Sequence, residues 1–387
     1  MDAIQNPYSP GAGLRPPLLA GRQLEVEAFE TVLRRGELGR VSQGLMLTGL
    51  RGVGKTVLLN ELAASAEASG WMTVELEVSP GGATAALSKL ASMLTIAIRQ
   101  QQGSKLSEIA KRALASIKGF SLTVDPTGGM SASIDVDPVR SGDLETDFAS
   151  LAVTVGQTAL EAGIGTAVFI DELQELDKPS MASLAAAVHL AGQRNVPFTV
   201  VGAGLPNLPG KLADAKSYAE RLFDYRPLGK LSGSTAVQAL VRPAGDSGVT
   251  WLDEALQATI AAADGYPYFL QEFGAATWNV APGPIITEHD AASGILLGQA
   301  KLDGGFFRSR WGRATATEQT YLRAMAEDDG EDSRTPTVAS RLGRTVTNVG
   351  PIRAGLIGKG LIYAPEHGRV AFTVPGMAAF IRRQVDD

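Results

Sequence analysis

The sequence predicts an α/β protein: a parallel sheet with helices on both faces, followed by further helices and a C-terminal unit of three helices and a β-wing. Three observations predict it. Short apolar runs that read as buried strands alternate with stretches of helical spacing through the first half of the chain. Between the first run and its helix stands GLRGVGKT, Gly49 to Thr56, a G-x-x-x-x-G-K-[ST] phosphate-loop pattern. About the last 75 residues then change character, with three short helical stretches ahead of a turn and a strand.

The phosphate loop is supported by its flanks. GLMLTG (Gly44 to Gly49) reads as a buried strand, and TVLLNELAASAEA (Thr56 to Ala68) as a helix. Strand, glycine turn and helix is the order the chemistry needs. The glycines let backbone N–H groups converge on one point, and the helix N-terminus adds partial positive charge. The nucleotide-binding candidates are Gly49, Leu50, Arg51, Gly52, Val53, Gly54, Lys55, Thr56 and Val57. Lys55 is expected on the β- and γ-phosphates, and the Thr56 hydroxyl on Mg²⁺.

A second segment, TAVFIDELQEL (Thr166 to Leu176), reads as a buried parallel strand ending in two carboxylates. Asp171 and Glu172 emerge where open α/β sheets place their ligands. Asp171 is expected to hold Mg²⁺ through water, and Glu172 to polarise the attacking water. WMTVELEVS (Trp71 to Ser79) and VPFTVVGAG (Val196 to Gly204) supply further strands of the same sheet.

Composition narrows the rest. A chain of 387 residues, 44% hydrophobic and 20% charged, suits two or three packed domains. The net charge of −6 excludes a wholly basic nucleic-acid coat but leaves room for a local basic face. With no cysteine, disulfides and thiolate chemistry are excluded. His189, His289 and His367 are far apart, so Mg²⁺ carried by a nucleotide is expected rather than a metal held by side chains alone. The N-terminus has no signal-peptide pattern, and no run of 18 apolar residues appears. A cytoplasmic protein with no membrane partner is therefore expected.

On these motifs the chain resembles an AAA+ ATPase of the origin-recognition-like group, which overlaps archaeal and STAND-type NTPases. The resemblance covers roughly Leu18 to Arg383 and implies a P-loop NTPase core of αβα layers, a helical lid and a C-terminal winged helix-turn-helix. It implies an N-terminal arm at 1–17, a core at 18–228, a lid at 229–300, and a linker and winged helix at 301–387. LLAGRQLEVEAFETVL (Leu18 to Leu33) resembles the segment that sets Arg22 beside the adenine. KSYAERLFDY (Lys216 to Tyr225) falls where the group often carries an arginine finger. Arg221 is the match, with Arg226 as the second candidate, and that role needs a nucleotide-dependent homo-oligomer. DGYPYFLQEFG (Asp264 to Gly274) resembles the lid segment over the nucleotide, through Gly265 and Pro267. ATP rather than GTP follows from the resemblance, and no guanine-specifying N-K-x-D stretch is present.

Two departures point to a slow, switch-like ATPase. The strand after Asp171 ends in Gly202, Ala203 and Gly204, with Thr199 and Asn207 the nearest polar candidates for a sensor. The lid segment lacks the arginine that many origin-recognition proteins place there. An insert at 80–146 reads as two helices (83–100 and 106–117) and a hairpin at 119–138, where apolar and polar residues alternate around PTGG.

In the C-terminal unit, helices are expected at 316–327, 337–344 and from Thr345, with Thr347 or Asn348 as N-cap of the third. Arg344, Arg353, Lys359 and Arg369 are the DNA-contact candidates, chiefly for the backbone of duplex DNA. In KLDGGFFRSRWGR (Lys301 to Arg313), Phe306, Phe307 and Trp311 are expected to pack lid against winged helix rather than stack bases. The function expected is that of a DNA-associated ATPase whose nucleotide state controls the winged helix. The alternative is a STAND-like switch in which the winged helix contacts a protein partner or clamps the ATPase.

Overall fold

β1 (Gly44–Thr48), β3 (Thr166–Asp171) and β4 (Phe198–Gly204) are buried at every residue, as centre strands of a sheet covered on both faces must be. β2 (Met72–Glu77) alternates buried and exposed positions and takes one edge, and β5 (Phe223–Pro227) takes the other. The order is β2-β3-β4-β1-β5, all parallel, with Val74 opposite Val168, Val168 opposite Val200, and Met46 opposite Gly202. Parallel pairing puts the carboxyl ends of β1, β3 and β4 along one edge. Gly44 is fixed by packing: a Cβ there would lie 2.1 Å from the Val200 carbonyl oxygen.

This computed structural model describes residues 1–102, 108–124, 141–328 and 332–384. They form two compact units. One holds Leu24–Thr48 and Leu58–Pro227; the other holds Met1–Gln23, Gly49–Val57 and Leu228–Asp387.

In the sheet unit the helices are α1 (Gln23–Glu37), α2 (Lys55–Ala68), α3 (Ala83–Gln102), α4 (Glu108–Val124), α5 (Leu144–Glu161), α6 (Lys178–Gln193), α7 (Leu208–Ala215) and α8 (Ala219–Leu222). Phe29 of α1 meets Phe169 of β3 edge-on at 5.7 Å. α5 and α6 begin on aspartate caps: Asp143 accepts from Thr146 N and Asp177 from Ser180 N. The expected hairpin is not formed in its first limb, because Gly119 to Val124 continue α4. Ala110, Ala113, Leu114, Ile117 and Phe120 recur at helical spacing and are buried, and Phe120 packs on Phe148 of α5 at 5.0 Å. Burial of that ring on α5 carries the helix through the segment that alternation assigned to a strand. Residues 125–138 of the hairpin lie outside the described residues.

The second unit has one continuous apolar core. α9 (Gly233–Asp246), α10 (Asp253–Ala263), α11 (Pro267–Val280) and α12 (Glu288–Lys301) pack around Phe273 and Trp278, with β6 (Thr250–Trp251) and β7 (Ile285–Ile286) paired in parallel. The N-terminal arm straps these helices. The Tyr8 hydroxyl donates to Leu240 O (2.6 Å) and accepts from Trp251 Nε1 (2.9 Å), and burial raises its pKa.

A π-helical turn, Leu302–Phe307, leads into α13 (Arg308–Trp311), α14 (Ala316–Ala326), α15 (Thr335–Arg341), α16 (Val346–Gly358) and α17 (Met377–Arg383). β8 (Asp332–Arg334), β10 (Arg369–Phe372) and β9 (Ile362–Tyr363) form an antiparallel sheet in that order. Phe307 stacks on Phe380 at 5.3 Å and meets Phe269 at 6.1 Å, so the FF pair joins α11 to α17 as packing, not as an open stacking platform. The N-cap of α16 is Thr345, not Thr347 or Asn348. Its backbone is extended and its hydroxyl accepts from Asn348 N, so the helix starts two or three residues sooner. Among the described residues no helix is long and apolar enough to cross a membrane.

Candidate nucleotide-binding site

β1 delivers the chain into the loop at Gly49. Gly52 and Gly54 have φ of 87° and 90°, which turn successive N–H groups inward at a region of backbone space that side chains resist. Lys55 is only 8% exposed. Its Nζ donates to Gly49 O and Leu50 O, each at 2.9 Å, so the ammonium is folded back on the loop's own carbonyls. Arg22 is equally buried, and its Nη2 donates to Val53 O (3.0 Å) and Gly229 O (3.1 Å). The guanidinium thus ties the loop to the start of the helical segment.

Two further elements hold the loop. Gly265 adopts φ 68°, and its carbonyl accepts from Leu231 N at 2.8 Å. Pro267 opens α11, and the next residue, Tyr268, donates its N–H to Gly52 O at 3.2 Å. On the other side, Arg51 N donates to Thr373 O at 2.9 Å, just beyond β10. Sequence reasoning missed Tyr268 and Thr373, because both act through the main chain and carry no motif.

In the sheet unit, Asp171 closes β3 and accepts from Glu172 N at 2.8 Å. Glu172 sits in the left-handed region (φ 51°), an uncommon conformation for a residue with a side chain. Its Oε2 accepts from Gln174 Nε2 at 2.5 Å, while Gln174 Oε1 accepts from Leu205 N at 3.1 Å. Gln174 is 3% exposed. It links the acidic pair to the end of β4, where the glycines offer no side chain. The expected sensor candidates do not make that link. Thr199 Oγ1 and Asn207 Oδ1 are both buried with no hydrogen-bond partner among the described residues.

Arg221 lies exposed in the short α8, and its carbonyl accepts from Gln43 Nε2. Arg226 is committed to Asp224 in β5 at 2.5 Å.

The four candidate DNA contacts do not form a free basic array. Lys359 donates to Glu318 Oε2 (2.5 Å) and Arg313 O (3.0 Å). Arg369 is paired with Asp332, and Arg353 donates to the Arg369 carbonyl at 3.3 Å. Only Arg344 is exposed with no ion pair among the described residues. Glu318 is nearly buried; burial opposes its charge, but Lys359 and Thr315 hold its carboxyl below the usual range. Lys359→Ala is therefore expected to lower stability by roughly 2 kcal/mol through a stranded carboxylate, measured by urea unfolding.

Residues 18–201 match the family model of the AAA ATPase domain. This segment has the fold of an AAA ATPase domain. The match spans the phosphate loop, Asp171 and Glu172 and ends within β4. Residues 304–381 match a second family, described as Domain of unknown function (DUF8462). Among solved structures, the chain is similar to the Walker-type ATPase paby2304 of Pyrococcus abyssi. Identity is 15% over 95% of this chain and 97% of that one, with a TM-score of 0.58. It is also similar to Orc1 of Aeropyrum pernix, solved in complex with DNA (15%, 95% and 93%, TM-score 0.49). RuvB, the Holliday junction branch migration motor of Thermotoga maritima, matches at 16% over 97% and 100%, with a TM-score of 0.47. No curated protein matches.

Proposed function

We propose that this AAA+ chain binds ATP at Gly49–Val57 and hydrolyses it slowly, and that its C-terminal module, a winged helix in this reading, is the element that responds. The observation that carries the reading is the hydrogen bond from Arg51 N to Thr373 O. The loop that cradles phosphate is tied on one side to α11 through Tyr268 and on the other to the C-terminal module.

In this reading ATP displaces Gly49 O and Leu50 O as partners of the Lys55 ammonium, and the glycine-turned N–H groups receive the phosphate oxygens. Arg22 keeps the loop in register through Val53 O. Glu172 orients the attacking water once its carboxylate leaves Gln174, so the Gln174 bond keeps turnover slow. Thr56 and Asp171 supply a hydroxyl and a carboxylate, the hard oxygen donors that Mg²⁺ takes together with phosphate and water. That ion would neutralise phosphate charge. Arg221, exposed in α8, would serve a neighbouring copy as an arginine finger.

The module is then a clamp or protein contact, since Lys359 and Arg369 serve internal pairs. Contact with duplex DNA is a second reading, supported by the exposure of Arg344 just ahead of α16. The test is phosphate release from ATP by the purified protein, with amide exchange followed at 360–375 and duplex DNA added in a parallel series. Slow release, with exchange at 360–375 altered by ATP, is expected. No release and unchanged exchange would sink the proposal, while salt-sensitive stimulation by duplex would favour the second reading.

A further inference from the structure

The N-terminal arm and α11 both touch the phosphate loop, and they are clasped to each other. Tyr268 of α11 donates its N–H to Gly52 O, while Gly13 of the arm lies against Thr56, whose methyl is 3.7 Å from where a Cβ would stand. Both ends of the arm are fixed. Arg22 is bonded to Val53 O, and residues 6–9 lie along α11. Asn6 Nδ2 donates to Ala275 O (3.0 Å) and Asn279 Oδ1 (2.9 Å), and Ser9 N donates to Gln271 Oε1 (3.1 Å). Tyr8 is the anchor, 5% exposed, with its hydroxyl bonded to Leu240 O and Trp251 Nε1. α11 makes room for the ring at Gly274, where a Cβ would stand 3.0 and 3.1 Å from two Tyr8 ring carbons. Glycine weakens a helix interior, so the helix gives up stability at the point where the ring enters. The stretch between the two ends is different. No residue from Ser9 to Leu19 is buried, and Pro10, Pro16 and Pro17 each fix one backbone angle.

A stretch held at its ends, stiffened by proline and unpacked along its length moves as one piece when an end is freed. We propose that the arm is a latched strap: Tyr8, seated in the notch at Gly274, holds residues 10–19 beside Thr56 and so sets how fast nucleotide enters and leaves the phosphate loop. The proposal rests on nucleotide binding at Gly49–Val57, as set out above, and adds a regulation of that site. Opening takes the Tyr8 ring out of its notch and breaks its two hydroxyl bonds, while α9 to α12 stay packed on Phe273 and Trp278. The same strap stands before entry and exit. A weaker latch therefore raises both rates and leaves the affinity nearly unchanged. A residue that merely supports the bound nucleotide would act on release alone, and affinity would fall in step.

The experiment is stopped-flow measurement of association and release of N-methylanthraniloyl-ADP with Mg²⁺, on the full chain, for wild type, Tyr8→Ala, Tyr8→Phe and Gly274→Ala. Thermal unfolding without nucleotide checks each variant. Tyr8→Ala is expected to speed association and release alike, about 10-fold, with affinity held within about twofold. Tyr8→Phe keeps the ring and loses the two hydroxyl bonds, so both rates should rise about threefold. Gly274→Ala displaces the ring from the other side and should reproduce Tyr8→Ala. Combining the two should add little, since both open one latch. Unchanged rates in all three variants overturn the proposal, and so does faster release with unchanged association. If Tyr8→Ala does not fold, Tyr8→Phe and Gly274→Ala decide by the same pair of rates. A wild type that takes up no labelled ADP overturns the nucleotide site itself, and this inference with it.

Discussion

Glu172→Gln will still bind ATP but will release phosphate on the order of 10²- to 10³-fold more slowly than the unaltered protein. The substitution keeps the shape of the side chain and removes only its charge and basicity. The new amide still offers an oxygen to Gln174 Nε2, so the link from Gln174 to Leu205 N survives. The left-handed backbone at 172 costs the two residues about the same. What is lost is the group able to take a proton from, or polarise, an attacking water. Nucleotide affinity by calorimetry should therefore hold within about twofold while the single-turnover rate collapses. Turnover within threefold of the original would remove Glu172 from the reaction and leave the chain as a nucleotide binder.

Lys55→Ala is expected to fail one step sooner. The ammonium is positioned by the loop's own carbonyls, at 2.9 Å each. Its transfer to phosphate replaces two neutral acceptors by charged ones, and a charge-assisted bond is about twice as strong as a neutral one. Removing it should weaken ATP about 100-fold or more and abolish measurable phosphate release. The fold should survive, because solvent can satisfy the two released carbonyls. Undiminished ATP affinity with a normal melting temperature would show that nucleotide binds elsewhere.

The contrast between what was legible and what was not follows range. GLRGVGKT and the apolar run ahead of Asp171 declare themselves because strand, turn and helix are local, and glycine at positive φ is a requirement of a single residue. The first limb of the proposed hairpin misled because F-S-L-T-V fits both alternation and a helix. Only the ring of Phe148, 28 positions past Phe120, separates the two. The cations of the C-terminal module misled for a related reason. Lys359 and Arg369 look available in sequence, yet their carboxylates stand 41 and 37 positions away. Gln174 sat in plain view within the acidic motif, but its value depends on where β4 ends. Of the candidate residues, Arg22 and Lys55 proved to be bonded to the loop's own backbone, a detail no motif carries.

The contacts from the loop to Tyr268 and Thr373 run through peptide groups, and this decides how they can be detected and altered. Any residue with an N–H can occupy 51 or 268, and any residue at all can supply the carbonyl of 373; position 52 asks for glycine because of its φ of 87°, not because of the bond its carbonyl accepts. Truncating side chains one by one along the C-terminal module would leave this connection intact and suggest that none exists. Cutting it takes a change in the path of the chain itself, through a shifted strand or a missing amide hydrogen. Communication of this kind leaves residue identity free to drift at 51, 268 and 373 while the geometry persists.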